Sequence, residues 1–237
     1  MSILKISWPV QWMAVAALAV IGVAVLRTPL YGAESPVVLP TPLIDNPKAA
    51  TAPQTAVLAG GCFWGVQGVF EHVRGVQNVL AGFSGGDNST AQYATVSSGR
   101  TGHAESVKIT FDPAQISYGQ ILQIAFSVVF NPTQLNRQGP DVGSQYRSVI
   151  FYADATQKHI AEAYISQLDQ SHAFPRAIVT RVDPLKGFYP AEDYHQDYLI
   201  NNPTEAYVAM FDLPKVENLK RTFPELYSSR PVLANAQ

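Results

Sequence analysis

Three hydrophobic patterns follow one another along the 237-residue chain. Residues 13–26 are uniformly apolar or glycine, residues 34–54 are interrupted by prolines at 36, 40, 42, 47 and 53, and from Thr55 onward strand-like and helix-like periods alternate. Thr55 to Ala59 reads as a short buried strand and Gly60-Gly61 as a tight turn. Val66, Val69, Phe70 and Val73 then recur at helical spacing. Val76 to Phe83 predicts a second strand that ends in the turn Ser84-Gly85-Gly86-Asp87. Over residues 105–111 the alternation is regular, with Glu105, Val107, Ile109 and Phe111 on one face and Ser106, Lys108 and Thr110 on the other.

Ser117 stands where an N-cap belongs, before a helix that carries Ile121, Leu122, Ala125, Val128 and Val129 and is stopped by Asn131-Pro132. Residues 133–145 are polar and punctuated by Gly and Pro, which predicts a loop. A strand at Tyr146–Tyr152, a helix at Ala155–Leu168, a strand at Ala177–Val182 and a short helix from Pro190 to Leu199 complete the series. Helices packed on a mixed sheet follow, in an α+β or α/β arrangement.

The same patterns divide the chain into parts. The fourteen apolar residues from Met13 to Leu26, extended to residues 9–26 if Gln11 is tolerated, lie between Lys5 and Arg27. They suit the apolar region of a signal peptide, which runs to ~15 residues, or a short membrane anchor, which needs ~20. A buried N-terminal helix is the alternative. Tyr31-Gly32-Ala33 is a poor cleavage site because its first residue is bulky, which favours a retained anchor within residues 1–33. The expected location is exported or membrane-anchored, and the near symmetry of Lys5 and Arg27 leaves a cytoplasm-facing anchor open. Residues 34–54 read as a semi-rigid extended spacer, residues 55–213 as one domain, and residues 214–237 as a tail with one helical pattern at Val216, Leu219, Lys220 and Phe223.

Charge and composition narrow the chemistry. Sixteen Lys and Arg against eighteen Asp and Glu give a formal net charge of −2 without a basic block, so nucleic acid is not an expected partner. A single cysteine, Cys62, excludes an intramolecular disulfide and any multi-cysteine metal or iron–sulfur site. It can be a nucleophile, a redox centre or an inert core residue. Its place at or just before the first turn of a helix favours the thiolate and predicts a lowered pKa. Gly60-Gly61 before it would let a ligand approach the backbone, and Phe63-Trp64 place two large aromatics beside it.

Glu105 shares its face with apolar residues, so its carboxyl should be desolvated and protonated part of the time at neutral pH, as a general acid requires. A strand-end glutamate that curls out to solvent is the alternative. His103, of the same parity, is either a second polar group of the site or a surface residue. Asp141, Tyr146 and Arg147 lie in a glycine-rich loop whose phenols and amides could line a pocket.

Four motifs in order make the resemblance specific: Gly61-Cys62-Phe63-Trp64-Gly65, Thr101-Gly102-His103-Ala104-Glu105, Gly143-Ser144-Gln145-Tyr146-Arg147-Ser148 and Phe188-Tyr189-Pro190-Ala191-Glu192-Asp193-Tyr194-His195-Gln196. Across about residues 55–202 the chain resembles the A-type peptide methionine sulfoxide reductases. The resemblance implies an α+β fold, a ferredoxin-like two-layer sandwich with a mixed sheet, extra strands and long coil, and no metal or bound organic cofactor. It implies that Cys62 attacks the sulfoxide sulfur while Glu105 protonates the oxygen. Tyr93 and Tyr146 would hydrogen-bond that oxygen, Phe63 and Trp64 would form the methyl-binding wall, and Asp141 falls at a family active-site aspartate.

The implied product is methionine plus a Cys62 sulfenic acid, which a thiol must reduce. Many relatives carry further cysteines near the C-terminus for this purpose, and this chain has none. Recycling then falls to an external thiol, thioredoxin or a glutathione/glutaredoxin couple. Oxidised proteins or peptides are the expected substrates and a monomer the expected state. Lesser departures from the family pattern are Phe130-Asn131-Pro132, Val142 and Asp87. Two other readings compete. One is a cysteine hydrolase or acyltransferase with His103 or His195 as base, and the other is a membrane-tethered binding domain without turnover.

Overall fold

The computed structural model describes residues 34–46 and 52–234. The expected signal or anchor lies outside them, and among the described residues no helix is long and apolar enough to cross a membrane.

Among the described residues eight strands form: β1 (Gln54–Ala59), β2 (Val76–Ser84), β3 (Ala104–Phe111), the two-residue pair β4 (Arg137–Gln138) and β5 (Asp141–Val142), β6 (Val149–Tyr152), β7 (Arg181–Pro184) and β8 (Phe188–Pro190). Six of them make one sheet in the order β7-β6-β1-β3-β2-β8, antiparallel except where β7 runs parallel to β6. Helix α1 (Phe63–Glu71) joins β1 to β2, and α3 (Tyr118–Ile124) joins β3 towards β6. The central β6-β1-β3-β2 with these two crossovers is the ferredoxin-like pattern, to which β7 and β8 add edges. The remaining α-helices among the described residues are α2 (Tyr93–Val96), α4 (Ala155–Gln170), α5 (Tyr198–Asn201) and α6 (Leu213–Thr222).

The alternation of β3 works as expected. Val107, Ile109 and Phe111 are fully buried in the main core with Val66, Val69 and Phe70 of α1 and Ile121 and Leu122 of α3. Ser117 starts α3 with a complete capping box, its hydroxyl accepting from Gln120 N–H while the Gln120 side chain accepts from Ser117 N–H.

Four boundaries differ from expectation, each for a local reason. Ser144–Tyr146 form a 3-10 turn, so the strand expected from Tyr146 begins at Val149. Residues 177–180 stay out of the sheet because Val179 N–H donates to Pro132 O at 2.8 Å, and the strand runs Arg181–Pro184 instead. Pro190 ends β8 where a helix start was expected; an edge strand tolerates its missing N–H. The helix expected to Leu199 is broken by Asp197, whose φ is 53°, leaving a 3-10 turn at Asp193–His195 and the short α5.

The expected spacer is extended but not free. Over residues 34–46, Val37 N–H donates to Ser127 O and Leu39 is buried. Leu39 O accepts from Gln123 Nε2, and Asp45 accepts from Gly119 N–H at the start of α3, where a negative charge is favourable.

The expected tail after residue 213 is likewise part of the packed unit. Val216 and Leu219 of α6 are buried, and α1 is buried on every residue but Trp64 because α5 and α6 cover its outer side. Beyond α6, Ser228 N–H donates to His72 O, Val232 N–H to Glu71 O and Ala234 N–H to Asp197 Oδ1, so residues 228–234 strap the end of α1. Under the strap the Glu71 carboxyl lies against that of Asp197, and burial with this neighbour pushes Glu71 up to about 9. Because the folded value lies above the ordinary 4.5, the stability linked to this proton is complete below that pH and is lost as pH rises towards 9.

Candidate active site

Cys62 is the N-cap of α1, with φ −57° and ψ 123°, and its side chain is buried. The two glycines before it are required by packing. A Cβ at Gly60 would lie 2.2 Å from the Phe130 ring, and one at Gly61, where φ is +93°, would lie 2.8 Å from Gln138 Cβ. The lowered thiol pKa expected from the helix start is overturned. Burial, then Glu105 and Asp212, hold Cys62 well above the ordinary thiol range, and the backbone of Trp64 and the Lys215 ammonium offset this only in part. At rest Cys62 is a neutral thiol.

Glu105 faces the same point from the end of the apolar row of β3. Only 2% of it is exposed, so the solvent-facing alternative does not occur. Its Oε2 accepts from the backbone N–H of Phe63 at 3.0 Å, which ties the carboxyl to the residue after Cys62. Burial pushes it up to about 8, opposed by the Phe63 N–H and assisted by Asp141 and Asp212. At neutral pH it holds a proton.

Tyr93 at the start of α2 and Tyr146 at the end of the 3-10 turn stand half-buried, on segments linked by Ser144 Oγ donating to Gly99 O at 2.7 Å and Gln145 Nε2 to Ser97 O at 3.1 Å. Both phenols are raised, by burial first and then by Glu105. They are neutral donors. Asp141, in β5, accepts from the Tyr207 hydroxyl and is raised by burial. Arg147 shapes the site without entering it, donating to the carbonyls of Gly102, His103 and Ser144 at 2.7 to 3.0 Å and so joining two of the four motifs.

The aromatic wall is built in two layers. Phe63 is sealed in the core at 1% exposure, against Phe83 at 5.7 Å and His195 at 5.1 Å between ring centroids. Trp64 is the half-buried ring in front of it, stacked on Tyr198 at 3.7 Å and 9° and meeting Tyr207 edge-on at 6.2 Å. Its indole N–H donates to His195 Nδ1 at 3.1 Å. That bond places the proton of a neutral His195 on Nε2, which is buried without a partner among the described residues.

His103 is a structural histidine. It is 1% exposed, its Nδ1 accepts from Gly86 N–H at 3.2 Å and its Nε2 donates to Asp87 O at 2.9 Å, which fixes the glycine turn after β2. Among the described residues neither histidine is hydrogen-bonded to Cys62, as a thiol–imidazole pair would require.

Sequence reasoning missed four residues: Tyr198, Tyr207, Asp212 and Lys215. Tyr207 caps a π-helical turn at Val208–Asp212, closed by Leu213 N–H donating to Val208 O, Asp212 ends it, and Lys215 lies in the α6 that follows. A wide turn of this kind brings residues five apart, Tyr207 and Asp212, to one side. The signal available was the apolar stripe Val216, Leu219 and Phe223, which must bury against something.

The four motifs, far apart in sequence, thus meet around one thiol, and comparison with other proteins points the same way. Residues 54–226 match the family model described as peptide methionine sulfoxide reductase. The chain is 60% identical over 186 residues to peptide methionine sulfoxide reductase MsrA 2 of Mesorhizobium japonicum, covering 78% of this chain and 95% of that protein. Against the MsrA 2 of Synechocystis sp. it is 53% identical over 191 residues, 79% and 89% of the two chains. Among solved structures it is similar to methionine sulfoxide reductase A of Corynebacterium diphtheriae, with a TM-score of 0.55 and 33% identity over 73% of this chain and 88% of that one. Mxr1 of Saccharomyces cerevisiae in its reduced form gives a TM-score of 0.57 and 29% identity over 64% and 87%. Sequence, fold and the convergence on Cys62 agree: the chain belongs to the peptide methionine sulfoxide reductase family, A type, and is an enzyme that reduces methionine-S-sulfoxide in peptides and proteins with thiols.

Proposed function

We propose a residue-level course for this reduction. The sulfoxide methyl group rests against Trp64, backed by Phe63, and the sulfoxide oxygen takes hydrogen bonds from Tyr93, Tyr146 and protonated Glu105. Cys62 Sγ forms a bond to the sulfoxide sulfur, the Glu105 proton passes to the oxygen, and the thiol proton goes to the carboxylate so formed. The S–O bond then breaks as the oxygen bonds to Sγ, and the Sγ–sulfur bond breaks with its electron pair returning to the substrate sulfur, leaving Cys62 as a sulfenic acid and the thioether free. Sulfur of the substrate is reduced by two electrons and Sγ is oxidised by two. The carrying observation is the Glu105 carboxyl at 2% exposure, hydrogen-bonded to the residue after Cys62 and protonated up to about pH 8.

With one cysteine in the chain, the sulfenic acid is reduced by an external thiol, thioredoxin or glutathione with glutaredoxin, through a mixed disulfide on Cys62. A methionine sulfoxide peptide added without reductant should leave one dimedone adduct per chain, at Cys62, by mass spectrometry. Unlabelled Cys62 after stoichiometric product formation would refute the single-thiol cycle.

The domain works at a membrane or beyond it, held or exported by the apolar residues 9–26 between Lys5 and Arg27. Carbonate-washed membranes should retain an anchored chain, and a shortened chain in the soluble exported fraction would mark a cleaved signal. Full-length chain in the soluble cytoplasmic fraction would refute both.

A further inference from the structure

The residues that handle the sulfoxide leave one charged element without a task, the ion pair behind the first turn of α1. Asp212 is fully buried and Lys215 partly so, its side chain 17% exposed, with Nζ to Oδ1 3.2 Å. The pair presses against the helix backbone three residues after Cys62. A Cβ at Gly65 would lie 2.1 Å from Asp212 Oδ1 and 2.9 Å from Lys215 Nζ, so only glycine admits it there. Asp212 Oδ2 is buried with no hydrogen-bond partner among the described residues.

As a stabilising device this arrangement is poor. Buried ion pairs recover their desolvation cost only with excellent geometry and full hydrogen bonding, and half of this carboxylate is unbonded. An ammonium beside the positive end of a helix is also unfavourable. Apolar side chains of similar volume would pack against Gly65 without either cost.

We propose that Asp212 and Lys215 are positioning residues that set the charge state of Cys62, Lys215 favouring the thiolate and Asp212 opposing it. The other groups facing the thiol are Glu105 from β3, Tyr93 from α2, Tyr146, Tyr198 and Tyr207, with Asp141 held by Tyr207. Burial and neighbouring acids keep all four phenols un-ionised at neutral pH, and Glu105 keeps its proton up to about pH 8. Lys215 is thus the cation that offsets the acids around the thiol, in agreement with the opposite directions in which it and Asp212 move Cys62. The pair keeps the resting thiol neutral without placing the thiolate out of reach.

This proposal rests on Cys62 as the nucleophile, but its test reads thiol ionisation and not turnover. The chain has one cysteine, so the pH profile of alkylation by iodoacetamide on the whole protein reports Cys62 alone. Lys215→Met should shift the profile to higher pH and slow alkylation at pH 7.5 by about tenfold, the equivalent of one pKa unit. Lys215→Arg should restore the parent profile, and Asp212→Asn should shift it to lower pH. Superimposed profiles for Lys215→Met and parent, or equal slowing in Lys215→Met and Lys215→Arg, would overturn the proposal while leaving the parent's sulfoxide reduction untouched.

Discussion

Replacing Cys62 by serine is expected to abolish sulfoxide reduction, with a loss of about 10⁴-fold or more in kcat, the scale on which removal of a nucleophile acts. The attack is made on sulfur, a soft centre, and a hydroxyl is both a harder nucleophile and far less acidic than a thiol. It also cannot accept the oxygen as a reducible sulfenic acid. Serine is among the favoured N-caps, so α1 should still start where it does and the melting temperature should hold. The measurement is dithiothreitol-dependent conversion of a methionine sulfoxide peptide, read beside a thermal melt. Retention of even a tenth of the parent rate in the folded variant would remove Cys62 from the mechanism.

Glu105→Gln separates the acid from its scaffold. The amide oxygen can keep the bond from Phe63 N–H, but the group has no proton to give, so kcat at pH 7 should fall by about 10² to 10⁴-fold. In the parent, turnover should decline as pH rises through about 8, where Glu105 loses its proton, and in the variant that limb should be absent. Stability should move the other way. The folded value of Glu105 lies above the ordinary 4.5, so the parent's proton-linked stability is complete below that pH and lost as pH rises through about 8; the amide carries no such loss. A variant as active as the parent at pH 7, or one with an unchanged alkaline limb, would exclude Glu105 as the acid.

What could be read from the sequence was local. Period-2 alternation placed Glu105 in line with Val107, Ile109 and Phe111, while parity alone left open a strand end that curls out to solvent; the packing of the fold decides for burial. Cys62 at a helix start and Ser117 as an N-cap were legible for the same reason, since caps are set by adjacent residues.

Illegible were effects that depend on residues far away in the chain. The thiol's protonation is decided by burial and by Asp212, 150 positions later, and these outweigh the helix-start effect that sequence suggests. Pro190 suggested a helix, yet Gly82 of β2 leaves room for Phe188, and Gly82 pairs with Pro190 in the register that makes β8 a strand. Tyr198 and Tyr207, which pack on Trp64, and the Asp212–Lys215 pair behind α1 lay in segments whose partner surface no local pattern names.

The strap from Ser228 to Ala234 sets the shortest fragment that should behave as the whole. A polypeptide trimmed at Leu213, or at residue 226 where the family likeness stops, would lose the backbone donors to Glu71, His72 and Asp197. Water would then reach the paired carboxyls, Glu71 would shed its proton more readily, and its charge would fall at the already negative far end of the helix begun by Cys62. Trimming belongs beyond Ala234.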